Sequence, residues 1–256
     1  MKSITEFTKL RITILAAHIG AAVGLCLLWD PAWLLLSAVC TFAFLWISQE
    51  MYVHRYLCHR SFSMPVLAQR VCAALSVYNL YGNPIGVAST HTTHHKYSDT
   101  DKDPHPASTP WRSWFWLTDN FDKSIDPSTA RRLMKDPWLK FIANNYFKIY
   151  FLTILIAGLI SLKILLYAFL VTHVYAFAAN GLITVFCHGK GHRRYKTSDT
   201  STNNSYVNAL LLFNGVAMHN NHHAKPTRSS NSEAWYEVDV IGLIVRLFFV
   251  KSSKAI

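Results

Sequence analysis

Residues 12–29, ITILAAHIGAAVGLCLLW, and residues 32–49, AWLLLSAVCTFAFLWISQ, stand back to back with only Asp30 and Pro31 between them. Each apolar segment is about long enough to cross the ~30 Å hydrocarbon layer of a bilayer as an α-helix. Together they predict a tight helical hairpin. A second pair follows at 142–160 and 164–187, separated by Ser161, Leu162 and Lys163 and preceded by basic, polar sequence. Four spans in two hairpins leave both termini on one side of the membrane.

Composition points the same way. Of 256 residues, 51% are hydrophobic and 14% aromatic, while 15% are charged, against ~25% in soluble globular chains. The expected fold class is an all-α integral-membrane protein. The net charge of +11 would suit nucleic acid only if the basic residues formed a stripe on a soluble face. Instead, three lie at Lys2, Lys9 and Arg11, eleven between Arg55 and Lys140, and nine from Lys190 onward. The short connections near Asp30 and Lys163 carry one lysine between them. Because cytoplasmic loops collect Lys and Arg, residues 50–141 and 188–256 are expected to pack as a helical cytoplasmic cap. Both termini lie on that side, and no nucleic-acid partner is implied.

Cys26, Cys40, Cys58, Cys72 and Cys187 are odd in number and often inside apolar runs, a poor disulfide framework that fits a reducing compartment. The first apolar run lacks a small-residue cleavage pattern and is followed at once by a second, so it reads as a retained anchor. Within the cap, 66–88 (VLAQRVCAALSVYNLYGNPIGVA) is moderately apolar but broken by Arg70, Asn79, Asn83 and Pro84. A full crossing there would put a bilayer between His54 and His59 and the next histidines, so a re-entrant or interfacial helix is expected. Trp111, Trp114, Phe115 and Trp116, and the stretch 238–249, suit the headgroup region or packing inside the cap.

Ten of thirteen histidines fall into four groups: HRYLCH (His54, His59), HTTHH (His91, His94, His95), HGKGH (His188, His192) and HNNHH (His219, His222, His223). Residues three or four apart share a helix face, so His91 can point at a common metal with His94 or His95, and His219 with His222 or His223. His54 and His59, five apart, need a distorted turn or serve different metals. A closed zinc site takes four ligands and usually recruits cysteine, whereas a pair of irons with open positions for oxygen uses this many imidazoles. Neither the HExxH of zinc proteases nor the Glu-x-x-His pairs of soluble di-iron bundles occurs. His18 and His173, alone within the spans, read as packed or hydrogen-bonded residues.

HRYLCHRSF, HTTHHKYSDTDKDPH and HNNHHAKP resemble the three histidine boxes of membrane fatty-acid desaturases, nearest to the acyl-CoA (stearoyl-type) delta-9 branch. The resemblance covers about residues 50–226. It implies a di-iron site with His54, His59, His91, His94, His95, His219, His222 and His223 as ligands. A ninth ligand precedes a Gly-x-Arg-x-Tyr element in that family, matched here by Gly191, Arg193 and Tyr195, which selects His188 over His192. The surroundings depart from the family. Gly215-Val216-Ala217-Met218 stands where a Gly-Glu-Gly-Trp-like run is frequent, and Val87 where an aromatic is common. Ser89 and Thr90 replace frequent charges, and Thr184 replaces an asparagine.

The resemblance implies that two ferrous ions use dioxygen to remove hydrogen from adjacent carbons of a fatty acyl chain carried on CoA, acyl carrier protein or lipid. No flavin-binding GxGxxG and no cytochrome-like His-Pro-Gly-Gly is present, so electrons come from an external ferredoxin or cytochrome b5-type donor. The basic face either steers an acidic partner or only satisfies membrane topology. An acyl tunnel between the spans is implied, with Ala16, Ala17, Gly20, Ala21, Ala22, Phe42, Phe44 and Trp46 near its closed end or, more commonly for small residues, in helix packing. A hydroxylase, ketolase or acetylenase on the same irons is the rival of the same class. A non-catalytic metal-binding or transport protein is the rival of a different class.

Overall fold

The structure, a computed structural model, describes residues 5–104 and 125–249; the aromatic cluster at Trp111–Trp116 lies outside them. Thr5 opens α1 (Glu6–Leu28), its hydroxyl accepting from the Thr8 amide. Asp30 caps the 3-10 turn Pro31–Trp33, which runs unbroken into α2, the whole helix spanning Pro31–Cys58. Its first part, Leu34–Thr41, is α-helical and the remainder, Phe42–Cys58, is wound as a π-helix. Next come α3 (Val66–Leu75) and α4 (Pro84–Tyr97), then α5 (Pro127–Leu133), α6 (Pro137–Asn144), α7 (Tyr146–Ile160) and α8 (Leu162–Phe186). Three short helices follow, α9 (Ser205–Leu210), α10 (His219–Ala224) and α11 (Val240–Phe248), and no strand occurs among the described residues. Asn83, Asp126 and Asp136 cap α4, α5 and α6, each followed by proline at the first helical position. There the missing N–H costs nothing and the side-chain oxygen satisfies an amide of the open first turn.

α1, α2 and α8 are long and apolar enough to cross a membrane, and α6 with α7, bent by 65° at their junction, pass as a fourth if counted as one span. Their outward faces carry exposed apolar side chains, among them Leu15, Leu27, Leu35, Leu155 and Leu159. Small residues serve helix contact. A Cβ on Gly24 would fall 2.6 Å from Leu166 Cδ1, and one on Gly20 3.1 Å from Leu170 Cδ1, so α1 lies directly on α8. At the turn end the two hairpins are joined: Lys163 Nζ donates to Asp30 Oδ2 at 2.6 Å, and the Asp30 amide donates to the Tyr167 hydroxyl at 2.7 Å.

Residues 66–90 enter the bundle and come back. Beyond α3, the 3-10 turn Ser76–Asn79 brings Tyr78 against the middle of α7 and α8, its hydroxyl 3.1 Å from Thr153 Oγ1 and its carbonyl accepting from His173 Nε2 at 2.9 Å. Leu80 and Gly82, both at positive φ, reverse the chain into α4. The histidines before and after this excursion meet in one cluster, as a re-entrant segment requires. At the same end, Arg55 makes a buried two-point contact with Asp239, both bonds 3.0 Å, tying α2 to the start of α11. Gly215 permits it: with φ +87, its Cβ would sit 2.2 Å from the Asp239 carboxylate.

Candidate metal centre

Nine histidines converge at the end of the bundle opposite the Asp30–Lys163 contact. His54, His59, His91, His95 and His222 form one group, and His94, His188, His219 and His223 the other; within each, the ligand atoms lie within 4.8 Å of one another. In the first group the Nε2 atoms of His54 and His222 stand 3.0 Å apart, His59 and His91 3.2 Å, His91 and His95 3.0 Å, His95 and His222 2.9 Å. In the second, His219 Nε2 lies 3.0 Å from those of both His188 and His223.

Helix geometry explains the partition. In HTTHH, His91 and His95 are one turn apart on α4 and share the first group, while His94 faces the second. In HNNHH, His219 and His223 share the second group and His222 crosses to the first. Each i, i+4 pair stays together and the residue between is handed to the neighbour. His54 and His59 reach the same group because α2 is π-wound there. The His59 amide donates to the His54 carbonyl at 3.2 Å, an i→i+5 bond that puts residues five apart one turn apart.

Four imidazoles are held from behind by carboxylates. Glu50 accepts from His54 Nδ1 at 3.0 Å, Asp103 from His94 Nδ1 at 2.8 Å, Asp99 from His188 Nδ1 at 3.1 Å and Asp199 from His223 Nδ1 at 2.8 Å. With the proton on Nδ1, each of these rings presents a bare lone pair at Nε2. Lone pairs aimed at one another at about 3 Å repel unless a cation lies between them. Imidazole nitrogens bound at right angles to one metal at about 2.1 Å are themselves about 3 Å apart. Both groups therefore fit a metal ion each.

Electrostatics keep the imidazoles ready to bind. Burial, then crowding by neighbouring imidazoles, holds His59, His91, His95, His219 and His222 well below the ordinary histidine value. Burial lowers His223 to about 4 although Asp199 pulls it upward. For Asp199, burial acts to raise the carboxyl, but hydrogen bonds from His223, Ser201 and Thr197 outweigh it and hold the group well below the usual carboxylate range. Asn220 and Asn221 set the pose of α10: Asn220 exchanges hydrogen bonds with the Tyr195 backbone, and Asn221 donates to Glu237 Oε2 at 2.9 Å and to the Asn231 carbonyl.

A cavity of about 90 Å³ reaches both groups, with His54 and His91 of the first and His219 of the second in its wall beside Glu50, Tyr81, Val87, Thr90, Asn180 and Val216. Its neighbour, about 230 Å³, shares Tyr81, Val87 and Thr90 and extends past Phe7, Leu10, Tyr146 and Phe147. The departures at Val87, Thr90 and Val216 are thus wall residues. Thr184, where the family usually has asparagine, donates its hydroxyl to the Asn180 carbonyl. Neither cavity is lined by Ala16 to Ala22 or by Phe42, Phe44 and Trp46.

His192 is exposed and belongs to neither group. His18 lies 2.8 Å from the Ile14 carbonyl, and His173 contacts the Tyr78 carbonyl and the Tyr150 hydroxyl. Both are satisfied within the helix packing.

Residues 10–236 match the family described as fatty acid desaturase. The chain is 31% identical over 233 residues to an acyl-CoA 5-desaturase of Anemone leveillei, covering 84% of this chain and 72% of that protein. It is 32% identical over 203 residues to an sn-1 stearoyl-lipid 9-desaturase of Anabaena variabilis, covering 76% and 72%. A chloroplastic palmitoyl-monogalactosyldiacylglycerol delta-7 desaturase of Arabidopsis thaliana is 30% identical over 200 residues, covering 75% and 53%. With the histidine groups, the apolar helices and these relatives in agreement, the chain belongs to the fatty acid desaturase family and is an oxidoreductase of the membrane.

Proposed function

We propose that the five-imidazole and four-imidazole groups each hold one iron ion and that the enzyme introduces a double bond into a fatty acyl chain lying in the cavity between Tyr81, Val87 and Thr90. The observation that carries this reading is the convergence of nine Nε2 atoms in two adjacent groups on one cavity. Bound there, the irons would supply the redox chemistry by which an adjacent CH2–CH2 pair becomes CH=CH, the two hydrogens removed from it leaving, with one dioxygen, two external electrons and two protons, as two waters.

The protein's own contribution is positional. Glu50, Asp99, Asp103 and Asp199 keep the Nδ1 protons in place and fix the rings. Val53, Val87, Ala88, Ile183 and Val216 give the cavity its apolar wall, which excludes water from the reacting carbons. Tyr81, its hydroxyl donating to the Ala176 carbonyl, holds the partition between the two cavities. An acyl chain entering by the larger cavity passes α1 and α7 before it reaches the imidazoles.

The basic segments favour a four-span topology in two hairpins, with the histidine end and both termini cytoplasmic. On that side an external ferredoxin or cytochrome b5-type protein would deliver electrons. The relatives act on acyl-CoA in one case and on lipid-linked acyl chains in others, so the carrier on this chain is CoA, acyl carrier protein or lipid. The decisive assay gives the purified iron-loaded protein a donor, oxygen and acyl substrates on all three carriers, then locates the new group by mass spectrometry. A double bond on one carrier is expected; a hydroxyl or keto group alone, or no product from any, overturns the assignment.

A further inference from the structure

A third cavity lies on the other side of α2 from the imidazoles. It measures about 420 Å³, and Arg60, Arg132, Tyr56, Ser63, Gln69 and Asp136 are among its lining residues. Arg60 holds positive φ at the end of α2, a position where glycine is the ordinary choice. Arg132 donates to the Leu57 carbonyl at 2.7 Å. Among the described residues, neither guanidinium has a carboxylate within ion-pairing distance, unlike the buried Arg55, which pairs with Asp239. Asp136, whose Oδ1 caps α6 by accepting from the Leu139 amide, also lines the cavity and offsets one of the two charges. Burial, and then the charge of Arg60, push the Arg132 guanidinium below its ordinary value. The described lining thus carries two guanidiniums against one carboxylate, a wall of net positive charge.

α3 and α6, which add Gln69 and Leu139 to this wall, also expose an apolar patch. Val66, Leu67 and Val71 of α3 are 62%, 75% and 50% exposed, and Trp138 and Phe141 of α6 are 39% and 50% exposed. Trp138 Nε1 donates to the Arg70 carbonyl at 3.1 Å, joining the helices, and its ring stacks with Phe141. α6 bends away from α7 by 65°, an orientation that suits a helix lying along a membrane surface. Guanidiniums of α5 and the end of α2 facing a cavity, with apolar and tryptophan side chains on the adjoining helices α3 and α6, match the profile of one lipid: phosphate at the headgroup level and acyl chains alongside.

We propose that this cavity binds the phosphate of an anionic phospholipid headgroup, with the lipid's chains lying along Val66, Leu67, Val71, Trp138 and Phe141. The site is separate from the acyl cavity at Tyr81 and Val87, and it rests only on the chain being a membrane protein, not on the identity of the acyl substrate.

The test is native mass spectrometry of the full purified chain in neutral detergent, titrated with phosphatidylglycerol, with phosphatidylcholine, or with inorganic phosphate. One phosphatidylglycerol should be retained per chain, about tenfold more tightly than phosphatidylcholine, and Arg60→Gln or Arg132→Gln should each weaken it about tenfold. Arg132→Gln removes the bond to Leu57, so Arg60→Gln is the safer variant; its side chain is exposed and makes no hydrogen bond among the described residues. Equal retention of the two lipids, phosphatidylglycerol binding unchanged in both variants, or binding of inorganic phosphate that phosphatidylglycerol does not displace would overturn the proposal.

Discussion

The two imidazole groups touch one cavity but are supported differently. Among the described residues, the first has five rings and one carboxylate behind them, Glu50 on His54. The second has four rings, and three of them are backed by Asp103, Asp99 and Asp199. One site gains its hold from the number of rings, the other from how firmly each ring is fixed and how much negative charge lies behind it. A carboxylate behind an imidazole raises the ring's basicity as a ligand and locks its orientation. On the proposed reading, a metal in the four-imidazole group would be held by firmly oriented, electron-rich rings with a position left for oxygen, and one in the five-imidazole group would be nearer to full.

The largest effect should come from removing a ring. His94→Ala and His222→Ala each abolish turnover while the protein stays in the membrane, but iron content separates them: His94→Ala leaves three rings in its group and His222→Ala leaves four. Iron retention after gel filtration should therefore fall further in His94→Ala, and equal loss would erase the asymmetry. Next comes Asp199→Asn, which withdraws the charge behind His223 and disturbs the Ser201 and Thr197 contacts. It should weaken metal binding about 10- to 100-fold, read by chelator competition. Glu50→Gln should fall at or below the low end of that range, because four other rings remain.

A smaller effect concerns pH. The buried imidazoles resist protonation in the fold but titrate near 6.5 in the unfolded chain, so protons favour unfolding. The metal-free protein should lose stability as pH falls from about 6.5 toward about 4, and added metal should restore it. A thermal midpoint flat from pH 7 to 5 would show that the rings are open to water. Smallest of all, His192→Ala should leave iron content and turnover unchanged, in contrast to His188→Ala; loss of iron in His192→Ala would shift the ninth position.

Much of this was legible in the sequence because helices give short-range rules. The i, i+4 spacing in HTTHH and HNNHH predicts shared faces, and the need to keep His54 and His59 on the side of His91 predicts a re-entrant 66–88. Which histidine crosses between groups depends on how α4 and α10 approach one another, and no local pattern encodes that. Of the two readings open for His54 and His59, a distorted turn or different metals, the π-wound stretch from Phe42 is the distorted turn, and it brings them together.

The four carboxylates behind the rings are only partly legible in the sequence. Asp99 and Asp103 stand in the HTTHHKYSDTDKDPH string itself, and Glu50 lies four residues before His54, a readable helix offset. Asp99 serves His188 across 89 residues of chain, however, a pairing that only the fold creates. The segment 32–49 read as a complete span because hydropathy fades after Gln49, while the helix continues to Cys58 and carries the first histidines on it.

The central claim is that each group holds one iron. Anomalous scattering at the iron edge, from crystals of the iron-loaded protein, tests it most directly. Two separate peaks are predicted, one about 2.1 Å from Nε2 atoms of His54, His59, His91, His95 and His222, the other at that distance from those of His94, His188, His219 and His223. A single peak, or a peak whose nearest nitrogens are drawn from both groups, would contradict the account.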